Sequence, residues 1–125
     1  MSGTRGAVRR SPGQSPTFAG AVTAGGLVLT SGLVSPAVLA GRPRSLSEQA
    51  VDVLDLLAST LAAHGCGLGN VASLTAYLAP DADPATWNAA FAAAFPTDPP
   101  ARTTVTCGFV LPGVTVEISA VAAAP

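Results

Sequence analysis

The sequence predicts an α+β fold in one domain, a single sheet with two helices covering one of its faces. Three observations predict it. Short β-type runs bracket two segments of helical periodicity, in the order β-β-α-β-α-β-β. The chain has 125 residues, enough for one core and too few for two. Near the C-terminus, Val114, Val116, Ile118 and Ala120 share one strand face, and Thr115, Glu117 and Ser119 share the other. Such alternation belongs to a sheet packed on one side and not covered by its own chain on the other.

Each element has its own signal. Residues 1–16 carry Arg5, Arg9 and Arg10 among Gly, Ser and Pro, without the apolar run of a secretory signal. They read as a flexible leader before a domain at 17–125. Residues 18–24 and 27–32 are β-type runs, and Gly25-Gly26 between them is a two-residue hairpin signal. Residues 35–44 read as a loop with an apolar patch at 37–40. Ser45-Leu46-Ser47-Glu48 then fits a capping box. Ala50, Val53, Leu54, Leu57, Ala58 and Leu61 follow at helical spacing, and Gly65 suits the residue after a helix end. His64, in the last turn, reads as a helix-end residue and not as a ligand.

Residues 71–78 read as a strand ended by Pro80. Asp83-Pro84 is an N-cap followed by a proline at the first helical position. In that second helix Trp87, Phe91 and Phe95 are spaced i, i+4, i+8, a core stripe. Two strands at about 103–111 and 114–122 close the chain, joined hairpin-fashion through Pro112-Gly113.

Charge is scarce. Only 10% of residues are charged, against about 25% in an average domain, and all six cations are Arg. The net charge is −1 and the folded part has no basic cluster, which argues against non-specific nucleic-acid binding. No segment has the ~20 apolar residues of a membrane span. An apolar, charge-poor surface on a small chain points to contact with other subunits. Cys66 and Cys107 are too few for a disulfide scaffold, and with the single His64 they make no zinc site. The protein is expected in the cytoplasm with reduced thiols and no metal.

Residues 99–125 hold just two fully charged groups, Arg102 and Glu117. A lone Arg in so apolar a stretch needs an acceptor. One reading is an Arg–Glu ion pair or a rim charge. The other is an anion pocket, in which Arg holds a carboxylate bidentately and Glu positions or activates a water. Cys107 lies five positions beyond Arg102, so a regular strand turns it to the opposite face, as a small core residue. No GxSxG, Walker or dinucleotide motif occurs, and the glycine-rich run at 65–69 follows a helix, the wrong order for a phosphate cradle.

In this order and spacing the pieces resemble the Rid (reactive intermediate deaminase) family, also called YjgF. They are Leu29-Thr30-Ser31-Gly32, Glu48-Gln49-Ala50, Ala63-His64-Gly65-Cys66-Gly67-Leu68, Trp87-Asn88-Ala89-Ala90-Phe91, Pro99-Pro100-Ala101-Arg102-Thr103, and Leu111-Pro112-Gly113 leading to Val116-Glu117-Ile118. The resemblance implies a chorismate-mutase-like fold and a homotrimer with clefts between subunits. It implies cofactor-free hydrolysis of enamines and imines, such as 2-aminoacrylate, to 2-keto acids and ammonia. Carried over by position, Arg102 binds the substrate carboxylate, Glu117 positions the water, and the backbone at Gly32 and Thr104 lines the cleft. Ser31 and Asn88 match positions of the site region. Phe18 stands where Tyr is common, Leu33 where Gln is frequent, and Thr104 where many members have Cys. These departures point to a divergent member with a more apolar pocket. The alternatives are a tailoring enzyme acting on a larger substrate, a non-catalytic small-molecule or protein-binding module, and, ranked low for want of cations, the ribonuclease activity associated with some relatives.

Overall fold

Alternation and helical periodicity become six strands and three helices in the computed structural model, which describes residues 7–125. In chain order these are β1 (Val8–Ser15), β2 (Phe18–Ala24), β3 (Leu27–Thr30), α1 (Pro36–Leu39), α2 (Leu46–Ala62), β4 (Val71–Leu78), α3 (Pro84–Ala94), β5 (Ala101–Thr106) and β6 (Val116–Ala123). The strands form one sheet in the order β1-β2-β3-β6-β4-β5. The two long helices, α2 and α3, cover one face, as expected for the α+β class.

The helices begin where the sequence says. Ser45 accepts from the Glu48 N–H at 3.1 Å while the Glu48 carboxylate accepts from the Ser45 N–H at 2.9 Å, the expected capping box. Asp83 caps α3 by accepting from the Ala85 N–H, with Pro84 at the first helical position. Val53, Leu54, Leu57 and Leu61 of α2 and Trp87 and Phe91 of α3 are buried against Leu74, Ala76 and Leu78 of β4 and Val116, Ile118 and Ala120 of β6. No helix among the described residues is long and apolar enough to cross a membrane.

Three expectations need correcting. Residues 1–6 of the expected leader lie outside the described residues, but residues 8–15 are not a leader: they form edge strand β1, antiparallel to β2. The glycines and proline that read as looseness build a register shift in that pair. Pro12 sits at the shift, on an edge where a missing N–H costs no ladder bond. A side chain at Gly13 would overlap the Phe18 carbonyl, so the strands approach there only because of the glycine. Next, the apolar patch at 37–40 is not loop throughout; Pro36–Leu39 form one helical turn capped by the Ser35 hydroxyl.

The third correction matters most for the site. No hairpin joins β5 to β6. Residues 107–115 between them are too many for a tight turn. Instead β5 runs parallel to β4, reached by the α3 crossover, and β6 lies centrally, antiparallel to both β3 and β4. The alternating apolar face of β6 suits a central strand, and the Thr-rich β5 suits an edge. Cys107 follows β5 and is half-buried.

Candidate functional site

Sheet register decides where the two charges point. Residues paired across neighbouring strands face the same side. Arg102 pairs with Leu74, whose side chain is in the core beneath the helices, so Arg102 leaves the sheet on the helix side. Thr104 pairs with Ala76 and shares that side. Glu117 pairs with Tyr77, which alternates with the buried Ala76 and Leu78, so Glu117 leaves on the uncovered face. The two are also three positions apart along the strands, with β4 between them. At ordinary strand spacings that is roughly 10 Å along and about 10 Å across. Within one chain they form no ion pair; among the described residues the bridges are those of Arg44 with Glu48 and Asp52.

The predicted residues therefore sort into two half-sites. The first gathers round Glu117. Its carboxylate fills the space where a Cβ at Gly32 would stand. Burial pushes the Glu117 carboxyl above its usual value, and among the described residues no neighbouring cation or donor pulls it back. Ser31 sits beside Gly32, its N–H donating to the Gly20 carbonyl at 2.9 Å and its hydroxyl to the Ala19 carbonyl at 2.6 Å. That hydroxyl serves the backbone turn. Phe18, at the start of β2, is 45% exposed, and it pairs with Ser15 beyond the register shift at Pro12.

The segment after Gly32 is held from both sides. The Leu33 N–H donates to the Ile118 carbonyl at 2.7 Å, and the Ile118 N–H returns a bond to Leu33 at 3.1 Å. Leu33 is only 1% exposed and belongs to the core, so it does not make the pocket more apolar as expected. On the other side, Gln14 of β1 brackets Val34, accepting from its N–H at 3.1 Å and donating to its carbonyl at 2.8 Å. This clamp comes from a segment that read as leader, and no sequence signal pointed to it.

The second half-site gathers round Arg102. All six residues of β5 are exposed, and its outer edge has no strand partner. The Arg102 guanidinium lies over the Phe91 ring, 4.7 Å from its centroid, and makes no hydrogen bond among the described residues. Asn88 is exposed one turn before Phe91 on the same helix. Thr104 is exposed two residues along β5. Asn88, Arg102 and Thr104 therefore share one rim, Ser31, Gly32 and Glu117 share another, and Phe18 is exposed at the start of β2.

His64 belongs to neither. It is 3% exposed, with Nδ1 at 2.7 Å from the Thr23 hydroxyl and Nε2 at 2.8 Å from the Ser11 hydroxyl. Burial, then Arg9, hold its pKa below the usual value, so it ties β1 and β2 to the end of α2 as a neutral ring. Gln49 is a second buried tie, donating to the Arg44 and Gly113 carbonyls and accepting from the Thr115 N–H. Among the described residues no group of three His, Cys, Asp or Glu could hold a metal ion.

Comparison with known proteins gives this arrangement its context. No curated protein sequence matches the chain. Solved structures do. A YjgF-family protein from Neisseria meningitidis is 28% identical with a TM-score of 0.85, over 97% of this chain and 98% of that one. A Pseudomonas aeruginosa protein of unknown function is 29% identical, TM-score 0.82, over 94% of this chain and 93% of that one. RidA from an Antarctic Psychrobacter is 25% identical, TM-score 0.80, over 91% and 94%. The profile of the endoribonuclease L-PSP family matches residues 9–124, from the second residue of β1 to beyond the end of β6. By that span the chain belongs to the endoribonuclease L-PSP family, the family of YjgF and RidA.

Proposed function

We propose that the protein is a hydrolase of reactive enamines and imines, converting 2-aminoacrylate-like imino acids to 2-keto acids and ammonia. It works without a cofactor, in the cytoplasm, as a homotrimer with its sites between subunits. The observation that carries this reading is the placement of Arg102 and Glu117 on opposite faces of one sheet, each without a partner of opposite charge among the described residues. A dry Arg–Glu pair would have been a structural contact. Two unsatisfied charges of opposite sign, one beside an exposed sheet edge and one on an uncovered sheet face, suit a cleft completed by a second copy. The free thiols of Cys66 and Cys107 agree with a reducing compartment.

The chemistry follows from the groups. Arg102 of one subunit holds the substrate carboxylate through its fork of N–H donors. Glu117 of the neighbour accepts a hydrogen bond from water beside the imine carbon. The enamine first takes a proton from solvent at its terminal carbon and becomes the iminium ion. Water oxygen then bonds to the iminium carbon, a water proton passes to Glu117, and the C=N π pair moves to nitrogen, leaving a neutral amine. Glu117 returns the proton to the amine of the resulting carbinolamine. The C–N bond breaks and ammonia leaves as the hydroxyl gives its proton to solvent and becomes the keto oxygen. A carboxyl whose pKa is raised by burial is suited to both taking and giving that proton. Phe18 and the backbone of Gly32 line the Glu117 side, with Ser31 behind them; Asn88 and Thr104 line the Arg102 side.

The test is release of keto acid from imino acids generated in place by an amino-acid oxidase. Added protein should accelerate it, and both Arg102→Ala and Glu117→Gln should lose at least about 100-fold. No acceleration by the wild type, or full activity in Arg102→Ala, overturns the reading. A larger substrate is the second reading; it keeps the exposed Phe18 as support but loses Leu33, which is in the core. Turnover of a bulky imino acid with none of 2-aminoacrylate would favour it. RNA cleavage gains little support, because the one imidazole in the chain is buried between Thr23 and Ser11.

A further inference from the structure

Arg102 is an exposed cation on an edge strand, and its recorded contact is a ring face. An exposed Arg on a free strand edge has several rotatable bonds and would lose much of their freedom on binding an anion. Evolution can fix such a group with an acid, but the acid would occupy the donors and neutralise the charge that a substrate carboxylate must meet. A ring face fixes it without needing an acceptor, so the N–H donors stay available.

Phe91 is built for that task. It is 8% exposed, with its ring 6.0 Å from Trp87 and 4.8 Å from Phe95, centroid to centroid. Trp87 is fully buried, so the platform cannot swing with the arginine. We infer that Phe91 is a positioning residue, whose ring face presents the Arg102 guanidinium to the substrate carboxylate. The inference rests on the reading of Arg102 as the carboxylate anchor. It also gives the aromatic stripe of α3 a second use beyond filling the core: two of its rings steady the one that carries the cation.

The experiment uses the full chain and 2-oxobutyrate, a 2-keto acid, as the carboxylate probe. Binding is measured by calorimetry for the wild type, Phe91→Leu, Phe91→Tyr and Arg102→Ala, with imine hydrolysis followed in parallel. Phe91→Leu keeps apolar bulk and loses the ring. It should weaken Kd and raise KM by about three- to thirtyfold, with kcat within about twofold. Phe91→Tyr keeps the ring face and should return Kd to within about twofold of wild type. Unchanged binding in Phe91→Leu, or equal loss in Phe91→Tyr, overturns the role of Phe91 while Arg102→Ala still reports whether the anchor exists. Unchanged binding in Arg102→Ala overturns both. Should Phe91→Leu not fold, the wild type answers alone. The side-chain proton resonances of Arg102 should be shifted upfield by the ring current, and ordinary shifts there overturn the proposal.

Discussion

Glu117 and Arg102 stand on one sheet, yet their surroundings differ in nearly every respect. Glu117 is half-buried on a central strand, pressed against the Gly32 backbone, and the loop carrying Gly32 is tied by ladder bonds to Ile118 and by Gln14. Arg102 is on an exposed edge and rests on one ring. The first half-site is complete when the monomer folds. The second is a charge held ready at a rim. The contrast teaches where precision is stored: the group proposed to handle water is fixed by backbone, and the group proposed to hold the substrate keeps its donors open.

Gly32→Ala is the hardest test of that contrast. The new methyl would occupy the space of the Glu117 carboxylate. The carboxylate is the far end of a flexible side chain, so it can move aside, and the fold should survive with little change in melting temperature. Activity should fall by about 100-fold, the usual cost of misplacing a catalytic group by an ångström. Keto-acid binding at Arg102 should change much less. Retained activity would mean that the Gly32–Glu117 fit is incidental.

Gln14→Ala should act next most strongly, and on the same half-site. It removes two hydrogen bonds to the Val34 backbone, at 2.8 and 3.1 Å. Each contributes about 1 kcal/mol, so urea unfolding should show a loss of about 1–3 kcal/mol. Activity should drop by about tenfold through the loosened Gly32 segment, again with probe binding at Arg102 preserved. Equal losses in binding and turnover would erase the distinction between the halves.

Much of this was legible in the residues. Local rules placed α2, α3 and β4, because capping boxes, prolines and helical spacing are local chemistry. The alternation in the last strand announced one buried and one uncovered face, and the scarcity of charge singled out Arg102 and Glu117. What failed was non-local. Whether 107–115 is a hairpin or a long connection depends on β4 intervening between β5 and β6, a pairing no local signal encodes. Pro12 and Gly13 read as a flexible leader because their service is to a partner strand. Leu33 was placed in the pocket by position alone, and the ladder with Ile118 turns it into the core. Phe91 read as core, correctly, but its outward face was invisible without the register of β5.

The smallest effect separates the halves by pH. Burial raises the folded-state pKa of Glu117 above its unfolded value. Between those two values the folded state binds more protons than the unfolded state, so this group's contribution to stability falls as pH rises through the window. Above that window the ionised, desolvated carboxylate is a net cost to folding. Glu117→Gln removes it and should raise the melting temperature slightly at pH 7, with the gain fading in acid. Arg102→Ala should keep its stability within about 1 kcal/mol of wild type, since an exposed ring–cation contact is worth about 0.5–1 kcal/mol. The same Glu117 titration should set the acid limb of turnover above the ordinary carboxylate range, and Glu117→Gln should abolish that limb with the activity. A melting temperature that drops in Glu117→Gln at pH 7 would make Glu117 a stabilising contact, and the contrast with Arg102 would reverse.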